Sequence, residues 1–163
     1  WEIFVKWMGE YNAFSSGVIQ RQKNRGANRF FHEQRGLTGA VQVYRKESLD
    51  TMYDILADNG ILALVSDQDA KRKGVFVDFF GTQASTPKGA ALFHQKSGSP
   101  LVFGVCIQIE LYKYRVEFVP VIPKSKSLQD ITQAYTTIIE KMVRRYPEQY
   151  FWFHRRWKTK QVK

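Results

Sequence analysis

The clearest potential for chemistry lies at Ser66-Asp67-Gln68-Asp69, which directly follows the apolar run of residues 61–65. A continuous apolar run predicts a strand buried on both faces. Polar residues after such a strand lie where open α/β sheets bind their ligands. Two carboxylates and an amide could bind a metal, orient a cationic group or hydrogen-bond a hydroxylated headgroup. A capped turn between strand and loop explains the same residues equally well.

A second candidate is GVFVDFFGTQASTPKG, residues 74–89. Its apolar front, residues 75–80, could line a hydrophobic groove. The turn expected at residues 81–87 would present backbone amides at the N-terminus of the following helix, which favours anions. An apolar loop that fills the core is the more common reason for such a sequence.

The third candidate is the stretch YFWFHRRWK, residues 150–158, with five aromatic rings and the three cations Arg155, Arg156 and Lys158. Such a cluster can fix the end of a chain to the core, stack nucleic-acid bases, or meet a membrane with anionic lipid. We expect Tyr150, Trp152 and Trp157 to pack against the sheet and the three cations to face lipid phosphate or the membrane surface.

The histidines and the cysteine carry weaker signals. His32, His94 and His154 have no carboxylate or second histidine at metal-binding helical spacing, so each is more typical of a structural or solvated residue. Cys106 is the single cysteine, which excludes an internal disulfide. No P-loop, dinucleotide fingerprint or nucleophile elbow is present. We therefore predict no metal and no cofactor.

Length and charge limit the class of protein. The 163 residues fit one domain, and the formal net charge of +10 favours anionic partners such as nucleic acid, phosphorylated substrates or an acidic membrane surface. No apolar run approaches the roughly 18 residues that span a bilayer.

Helical and extended patterns alternate along the chain. Predicted helices cover residues 2–11, 24–34, 48–60, 86–96 and 127–146, and predicted strands cover residues 17–20, 39–44, 61–65, 101–109 and 115–122. Ser48, Thr86 and Ser127 are the expected N-caps of their helices. This order predicts an α/β fold with a mixed, largely parallel central sheet flanked by helices on both faces.

Four motifs resemble, in order and spacing, the bacterial lipid A biosynthesis acyltransferases, in particular the lauroyl and myristoyl acyltransferases of the wider lysophospholipid acyltransferase group. They are DQD (67–69), GVFVDFFG (74–81), TPKGAALF (86–93) and RRYPEQYFWFHRRWK (144–158). The resemblance implies a glycerolipid-acyltransferase-like fold, with residues 1–163 forming one acyltransferase domain. It also implies an enzyme on the cytoplasmic face of the bacterial inner membrane, which transfers a fatty acyl group from acyl carrier protein to a hydroxyl of a lipid A precursor or related glycolipid.

The family uses a His-x4-Asp/Glu motif, and Trp1-Glu2 resembles its end. The resemblance then places the motif histidine five residues before Glu2, together with a membrane anchor further upstream. In the family's mechanism, histidine is the general base and the carboxylate orients its imidazole. We therefore expect Glu2 to have the orienting role and residues 1–163 alone to be inactive.

The resemblance also implies binding roles for residues beyond the motif. Asp67, Gln68 and Asp69 would line the acceptor side of the site, and Phe79, Phe80 and Gly81 would form a loop between acyl chain and headgroup. Arg21 and Arg35 are candidates for phosphate or sugar-acid recognition, because guanidinium groups bind such oxygens at two points. Arg155 and Arg156 would meet anionic lipid.

Two other classes of function stay open from the sequence. One is a catalytically inactive lipid-binding relative, and the other is a basic nucleic-acid-binding module. No RRM, KH or zinc-finger pattern supports the second class, so we expect no nucleic-acid partner.

Overall fold

A computed structural model of the chain describes residues 2–11, 15–37, 39, 41–45 and 49–161. The chain divides into two compact units, Trp1–Leu64 and Val65–Lys163, which are described separately below. No helix in the described ranges is long and apolar enough to cross a membrane.

The N-terminal unit alternates helix and strand as the sequence predicts. Its elements are α1 (Glu2–Tyr11), β1 (Ser15–Ile19), α2 (Arg25–Gly36), β2 (Val41–Tyr44), α3 (Leu49–Ala57) and β3 (Ile61–Ala63). The three strands form a parallel sheet in the order β2-β1-β3, in which Val18 lies opposite Val43 and Ser16 opposite Leu62. Parallel pairing with a helix in each connection is the βαβ arrangement.

Local signals explain the helix that follows β1. The Asn24 side chain accepts a hydrogen bond from the Ala27 amide at 3.0 Å and so caps the start of α2. The start agrees with the sequence-based prediction, whereas the helix ends at Gly36, two residues beyond the predicted end at residue 34. The predicted cap at Ser48 lies outside the described residues.

The strand β3 is shorter and more exposed than the apolar run predicts. It covers Ile61–Ala63 and lies at one edge of the three-stranded sheet, where it pairs with β1. Ile61 is 39% exposed. The expectation of a strand buried on both faces is wrong, because none of its three residues is fully buried.

The C-terminal unit contains two antiparallel hairpins and two α-helices. Its elements are β4 (Val75–Phe79), β5 (Thr82–Thr86), α4 (Gly89–Ser97), β6 (Val102–Glu110), β7 (Lys113–Pro120) and α5 (Leu128–Arg145), with 3₁₀ turns at Lys71–Lys73 and Pro147–Gln149. β4 pairs with β5, and β6 pairs with β7. After α5 the chain continues into residues 150–159, which we call the terminal segment.

The prediction of an α/β fold is confirmed, but the prediction of one largely parallel central sheet is wrong. Strands in the described residues form one parallel sheet of three and two antiparallel pairs. The difference arises at residues 74–89, where the sequence predicts a loop and turn. There Phe80 and Gly81 both have positive φ, 57° and 73°, which closes a two-residue hairpin turn.

This hairpin also moves the start of the next helix. Thr86 belongs to β5, where it lies opposite Val75, and therefore cannot cap a helix. The helix α4 begins at Gly89 after Lys88, which makes no side-chain capping bond. The predicted N-cap at Thr86 is wrong.

The core of the C-terminal unit forms where α5 packs against β4. Ser127 caps α5 by accepting from the Asp130 amide at 3.0 Å, as predicted. The buried face of the helix comprises Ile131, Thr132, Tyr135, Thr136, Ile139 and Val143. Ile138 and Met142, which have the same apolar character, are only half-buried.

Polar side chains of α5 bind the backbone of β4. The Gln133 amide accepts from the Asp78 amide at 2.8 Å and donates to the Asp78 carbonyl at 3.0 Å. Glu140 accepts from the Phe80 amide at 2.8 Å. Asp78 lies within β4, and Phe80 lies in the turn that follows it. Helix side chains thus satisfy backbone groups of both the strand and its turn.

Candidate functional site

The N-terminal unit holds Glu2 in a two-point ion pair. Glu2 lies in the first turn of α1, and Arg35 lies in the last turn of α2. Arg35 Nη2 donates to Glu2 Oε1 at 2.6 Å, and Arg35 Nε donates to Glu2 Oε2 at 3.0 Å. The Arg35 guanidinium also lies over the Phe31 ring, 5.2 Å from its centroid. The carboxylate is therefore held in one orientation.

This pair brings together two residues that the sequence analysis assigned to different roles. The Arg35 side chain is only 7% exposed, whereas the Glu2 side chain is 39% exposed. The guanidinium expected to bind phosphate or a sugar acid is thus already engaged by a carboxylate of the same unit. Each carboxylate oxygen has a second lone pair, so Glu2 can still accept a hydrogen bond from an imidazole.

Two other features lie in the same unit. The exposed Arg21 lies over the Tyr44 ring at 4.4 Å from its centroid, a surface cation–π contact. A small apolar pocket lies against the helix that carries Glu2, with a lining that includes Phe4, Val5 and Met8. The helix that carries the candidate carboxylate therefore also presents an apolar surface.

The second part of the candidate site is the acidic loop, residues 66–70, at the start of the C-terminal unit. Asp67 and Asp69 are half-buried and Gln68 between them is exposed. Asp69 Oδ2 accepts a hydrogen bond from the Lys71 amide at 3.2 Å, as aspartates commonly do in turns. The loop is therefore ordered by its own side chain, in agreement with the turn that the sequence left open as an alternative.

The terminal segment makes three further bonds to this loop. His154 Nε2 accepts from the Asp69 amide at 2.8 Å, Thr159 Oγ1 donates to Asp69 Oδ2 at 2.9 Å, and the Tyr150 hydroxyl donates to the Asp67 carbonyl at 3.3 Å. Two carboxylate oxygens, Oδ1 of Asp67 and Oδ1 of Asp69, are buried and accept no hydrogen bond from the described residues. The orientation of the Asp69 carboxylate is thus set through its other oxygen, which accepts from Lys71 and Thr159.

Arg156 lies inside the unit, which corrects its predicted place at a lipid-facing surface. It is 2% exposed, and it donates from Nη1 to the Ser85 carbonyl at 2.7 Å and from Nη2 to the Thr86 hydroxyl at 2.5 Å. Burial lowers the pKa of Arg156, while the Asp69 and Asp67 carboxylates oppose that shift. Its neighbour Arg155 is exposed, as expected for a residue that meets anionic lipid.

Phe79 is also a core residue and not part of a loop. It ends β4, is fully buried, and stacks on Trp157 with ring centroids 5.5 Å apart. Phe80 and Gly81 do form the turn that follows, and the Phe80 ring lies 4.6 Å below the Arg144 guanidinium. The expected loop of Phe79, Phe80 and Gly81 is therefore reduced to its last two residues.

The aromatic rings of the terminal segment divide between core and surface. Tyr150 and Trp157 contact Phe79 of β4, which confirms their predicted packing against the sheet. Trp152 is 49% exposed and contacts Phe80 in the turn, so its predicted packing against the sheet is wrong. Phe153 is 91% exposed. The segment therefore fixes the chain end through part of its rings and presents the rest to solvent.

Two buried phenols stay neutral over the ordinary pH range. Burial raises the pKa of Tyr135 to about 12, and burial with the nearby Asp67 carboxylate raises the pKa of Tyr150 to about 12. Both hydroxyls therefore remain hydrogen-bond donors, Tyr135 to the Pro87 carbonyl and Tyr150 to the Asp67 carbonyl.

Comparison with known proteins decides the family. The family described as bacterial lipid A biosynthesis acyltransferase matches residues 1–159 of the 163-residue chain. The chain belongs to this acyltransferase family. The resemblance drawn from the four sequence motifs is thereby confirmed.

Individual relatives agree with the family. The chain is 35% identical over 100 residues to the lipid A biosynthesis palmitoleoyltransferase of Escherichia coli (strain K12), and equally similar to the lipid A biosynthesis acyltransferase of Shigella flexneri. Each alignment covers 59% of this chain and 33% of the relative. The chain therefore matches about a third of the length of these acyltransferases.

Within this acyltransferase chain, sequence reasoning missed the residues that support the acidic loop. Thr159 had no recognisable signal, because one threonine near a chain end fits any surface. His154 was expected to be structural or solvated, and its hydrogen bond to the Asp69 amide shows that it is structural. The Glu2–Arg35 contact was missed because a pairing across 33 residues has no local periodicity.

Proposed function

We propose that this chain belongs to an enzyme that transfers a fatty acyl group from acyl carrier protein to a hydroxyl of a lipid A precursor or related glycolipid. The observation that carries the proposal is the rigid Glu2–Arg35 pair in a chain of the lipid A acyltransferase family. Glu2 stands where the family motif has its carboxylate.

The proposed reaction is a direct transfer with a histidine as general base. The imidazole takes the proton of the acceptor hydroxyl while the hydroxyl oxygen forms a bond to the acyl carbon of the thioester. The bond between that carbon and the carrier's sulfur breaks, and the imidazolium returns the proton to the leaving thiolate. The electron pair of the O–H bond forms the new ester bond to the acyl carbon, and the electron pair of the C–S bond stays on the sulfur, which takes up the proton.

Glu2 is proposed to orient the imidazole of the motif histidine and to stabilise its protonated form. Arg35 supports this role because its two hydrogen bonds fix both carboxylate oxygens and its own burial restricts its movement. We assign Arg35 as a positioning residue for Glu2. Arg21, which is exposed, remains the candidate for phosphate or sugar-acid recognition.

The acidic loop is proposed to line the acceptor side, with Asp67, Gln68 and Asp69 hydrogen-bonding the glycolipid headgroup. Both units would then belong to one acyltransferase domain with a glycerolipid-acyltransferase-like fold. We place the enzyme at the cytoplasmic face of the bacterial inner membrane. The exposed Arg155 and Lys158 support contact with an acidic leaflet.

The test uses the natural protein that contains this chain and compares Arg35→Lys with Arg29→Lys. Lysine keeps the charge but cannot make the two-point contact, so Arg35→Lys is expected to lower kcat about tenfold to a hundredfold through misplacement of Glu2. Arg29→Lys serves as the control, because Arg29 lies exposed on the same helix in an ion pair with Glu33 and should leave kcat unchanged. Equal kcat for Arg35→Lys and the unaltered protein would refute the role of the pair.

A further inference from the structure

We propose that the terminal segment is a clasp that holds the acidic loop in its acceptor-binding conformation, with His154 and Thr159 as positioning residues. The inference rests on the proposed function, since it assigns Asp69 to acceptor binding. It adds a role for the terminal segment in binding the glycolipid acceptor.

The clasp consists of contacts between parts of the chain far apart in sequence. His154 and Thr159 reach Asp69 across 85 and 90 residues, and Tyr150 reaches Asp67 across 83 residues. No periodic secondary structure requires these contacts. The conformation of the acidic loop therefore depends on whether the terminal segment is in place.

Two of these bonds fix different parts of the same residue. His154 Nε2 accepts from the Asp69 backbone amide at 2.8 Å, which requires the neutral ring with its proton on Nδ1. Thr159 Oγ1 donates to Asp69 Oδ2 at 2.9 Å. His154 thus sets the backbone of Asp69, and Thr159 sets the rotamer of its carboxylate.

A buried cation anchors the clasp from the inside. Arg156 lies between the two positioning residues in sequence and donates to the Ser85 carbonyl at 2.7 Å. The same carbonyl accepts from the Ala70 amide of the acidic loop at 3.1 Å. The acidic loop and the terminal segment therefore both donate hydrogen bonds to the Ser85 carbonyl of β5. Detaching the terminal segment would leave the buried Arg156 charge without these contacts, so the bound segment is the stable state.

Loss of the Thr159 contact should affect the glycolipid acceptor and not the acyl donor. Thr159 fixes the direction of an Asp69 oxygen without being part of the fold's core, because it is only half-buried. Loss of its hydroxyl should leave Asp69 Oδ2 with only the longer bond from the Lys71 amide among the described donors, so the carboxylate is held less firmly. Binding of the glycolipid acceptor should weaken, while binding of the acyl donor should not.

The decisive experiment measures KM separately for the glycolipid acceptor and for acyl-acyl carrier protein in the natural protein. Thr159→Val removes the hydroxyl at nearly constant shape, and it is expected to raise the acceptor KM about threefold to tenfold with the donor KM unchanged. Thr159→Ser, which keeps the hydroxyl, should restore the original value. Thr137→Val is the matched control, because that hydroxyl bonds the Gln133 carbonyl on α5 at 2.9 Å.

A second measurement follows the clasp without any turnover. Hydrogen exchange at the Asp69 amide is expected to accelerate in His154→Phe and to remain slow in His154→Gln, whose side-chain oxygen can accept the same bond. Unchanged exchange in His154→Phe would overturn the clasp.

The outcomes separate this inference from the proposed function. If the unaltered protein transfers acyl groups and Thr159→Val leaves the acceptor KM unchanged, the positioning role is wrong. If Thr159→Val raises both KM values together with a lower unfolding temperature, the residue is only structural and the inference is again wrong. If the unaltered protein transfers no acyl group, the proposed function fails. Hydrogen exchange at the Asp69 amide then decides by itself whether the terminal segment holds the acidic loop.

Discussion

Arg156 is a cation inside the protein whose hydrogen bonds are to neutral groups. Burying a charge is costly unless hydrogen bonds replace its water. Here the Ser85 carbonyl, the Thr86 hydroxyl and the face of the Phe79 ring, 5.3 Å from the guanidinium, supply that replacement. The residue is thus part of the core in a segment whose charge suggested a surface.

Removing this side chain should destabilise the protein. Arg156→Ala leaves a cavity and removes both hydrogen bonds, so we expect the free energy of unfolding to fall by about 2–4 kcal/mol. Arg155→Ala, at the exposed neighbour, should change it by less than about 0.5 kcal/mol. Denaturant titration of the two variants gives the comparison. Equal stability of Arg156→Ala and Arg155→Ala would show that the buried contacts contribute nothing.

The sequence does not predict which of the two neighbouring arginines, Arg155 and Arg156, is buried. Arg155 is exposed and Arg156 is buried, although both follow the same histidine. The terminal segment has no helix or strand to impose a period, so no pattern distinguishes them. Tyr150 and Trp157 could be assigned to packing because large aromatic rings bury apolar area in almost any setting.

At the scale of elements, the acidic loop and the 3₁₀ turn that follows it pack closely on β5 at Gly74. A Cβ atom at this position would lie 2.3 Å from Ser85 Oγ and 2.8 Å from both Ala70 Cβ and the Thr86 carbonyl oxygen. Because two of these atoms are backbone or Cβ atoms, they cannot rotate away. Only glycine permits this approach.

Gly74→Ala should therefore displace the loop from the hairpin. We expect a loss of about 1–3 kcal/mol in the free energy of unfolding, as for other overpacked sites. Gly17→Ala in β1 is the matched control, because a Cβ there would meet no atom within 4 Å, and it should not destabilise the protein. Thermal unfolding of both variants measures the difference. A Gly74→Ala protein as stable as Gly17→Ala would contradict the close packing.

The sequence predicted helices better than sheets for physical reasons. Helix α2 has a local cap at Asn24, and α5 has one at Ser127, so each start is encoded within a few residues. The β4–β5 hairpin depends on a turn with Phe80 at positive φ, which is uncommon for a bulky residue. Its backbone is also satisfied by Gln133 and Glu140 of α5, a tertiary contact that no local pattern reveals.

At the scale of the whole molecule, the residues proposed for catalysis and those proposed for acceptor binding lie in different compact units. Glu2 and Arg35 belong to the N-terminal unit, and the acidic loop with its clasp belongs to the C-terminal unit. The net charge of +10 suits an acidic carrier protein and an acidic membrane surface alike. Motif order along the chain was enough to predict the family. The partners of Glu2 and Asp69 required the folded structure.

The measurement that tests the central claim most directly is acyl transfer from acyl carrier protein to a lipid A precursor by the natural protein that contains this chain. The unaltered protein is expected to form the acylated glycolipid. Glu2→Gln should lower kcat by about a hundredfold or more, because a neutral amide cannot stabilise the imidazolium. No transfer by the unaltered protein, or full activity in Glu2→Gln, would contradict the proposed mechanism.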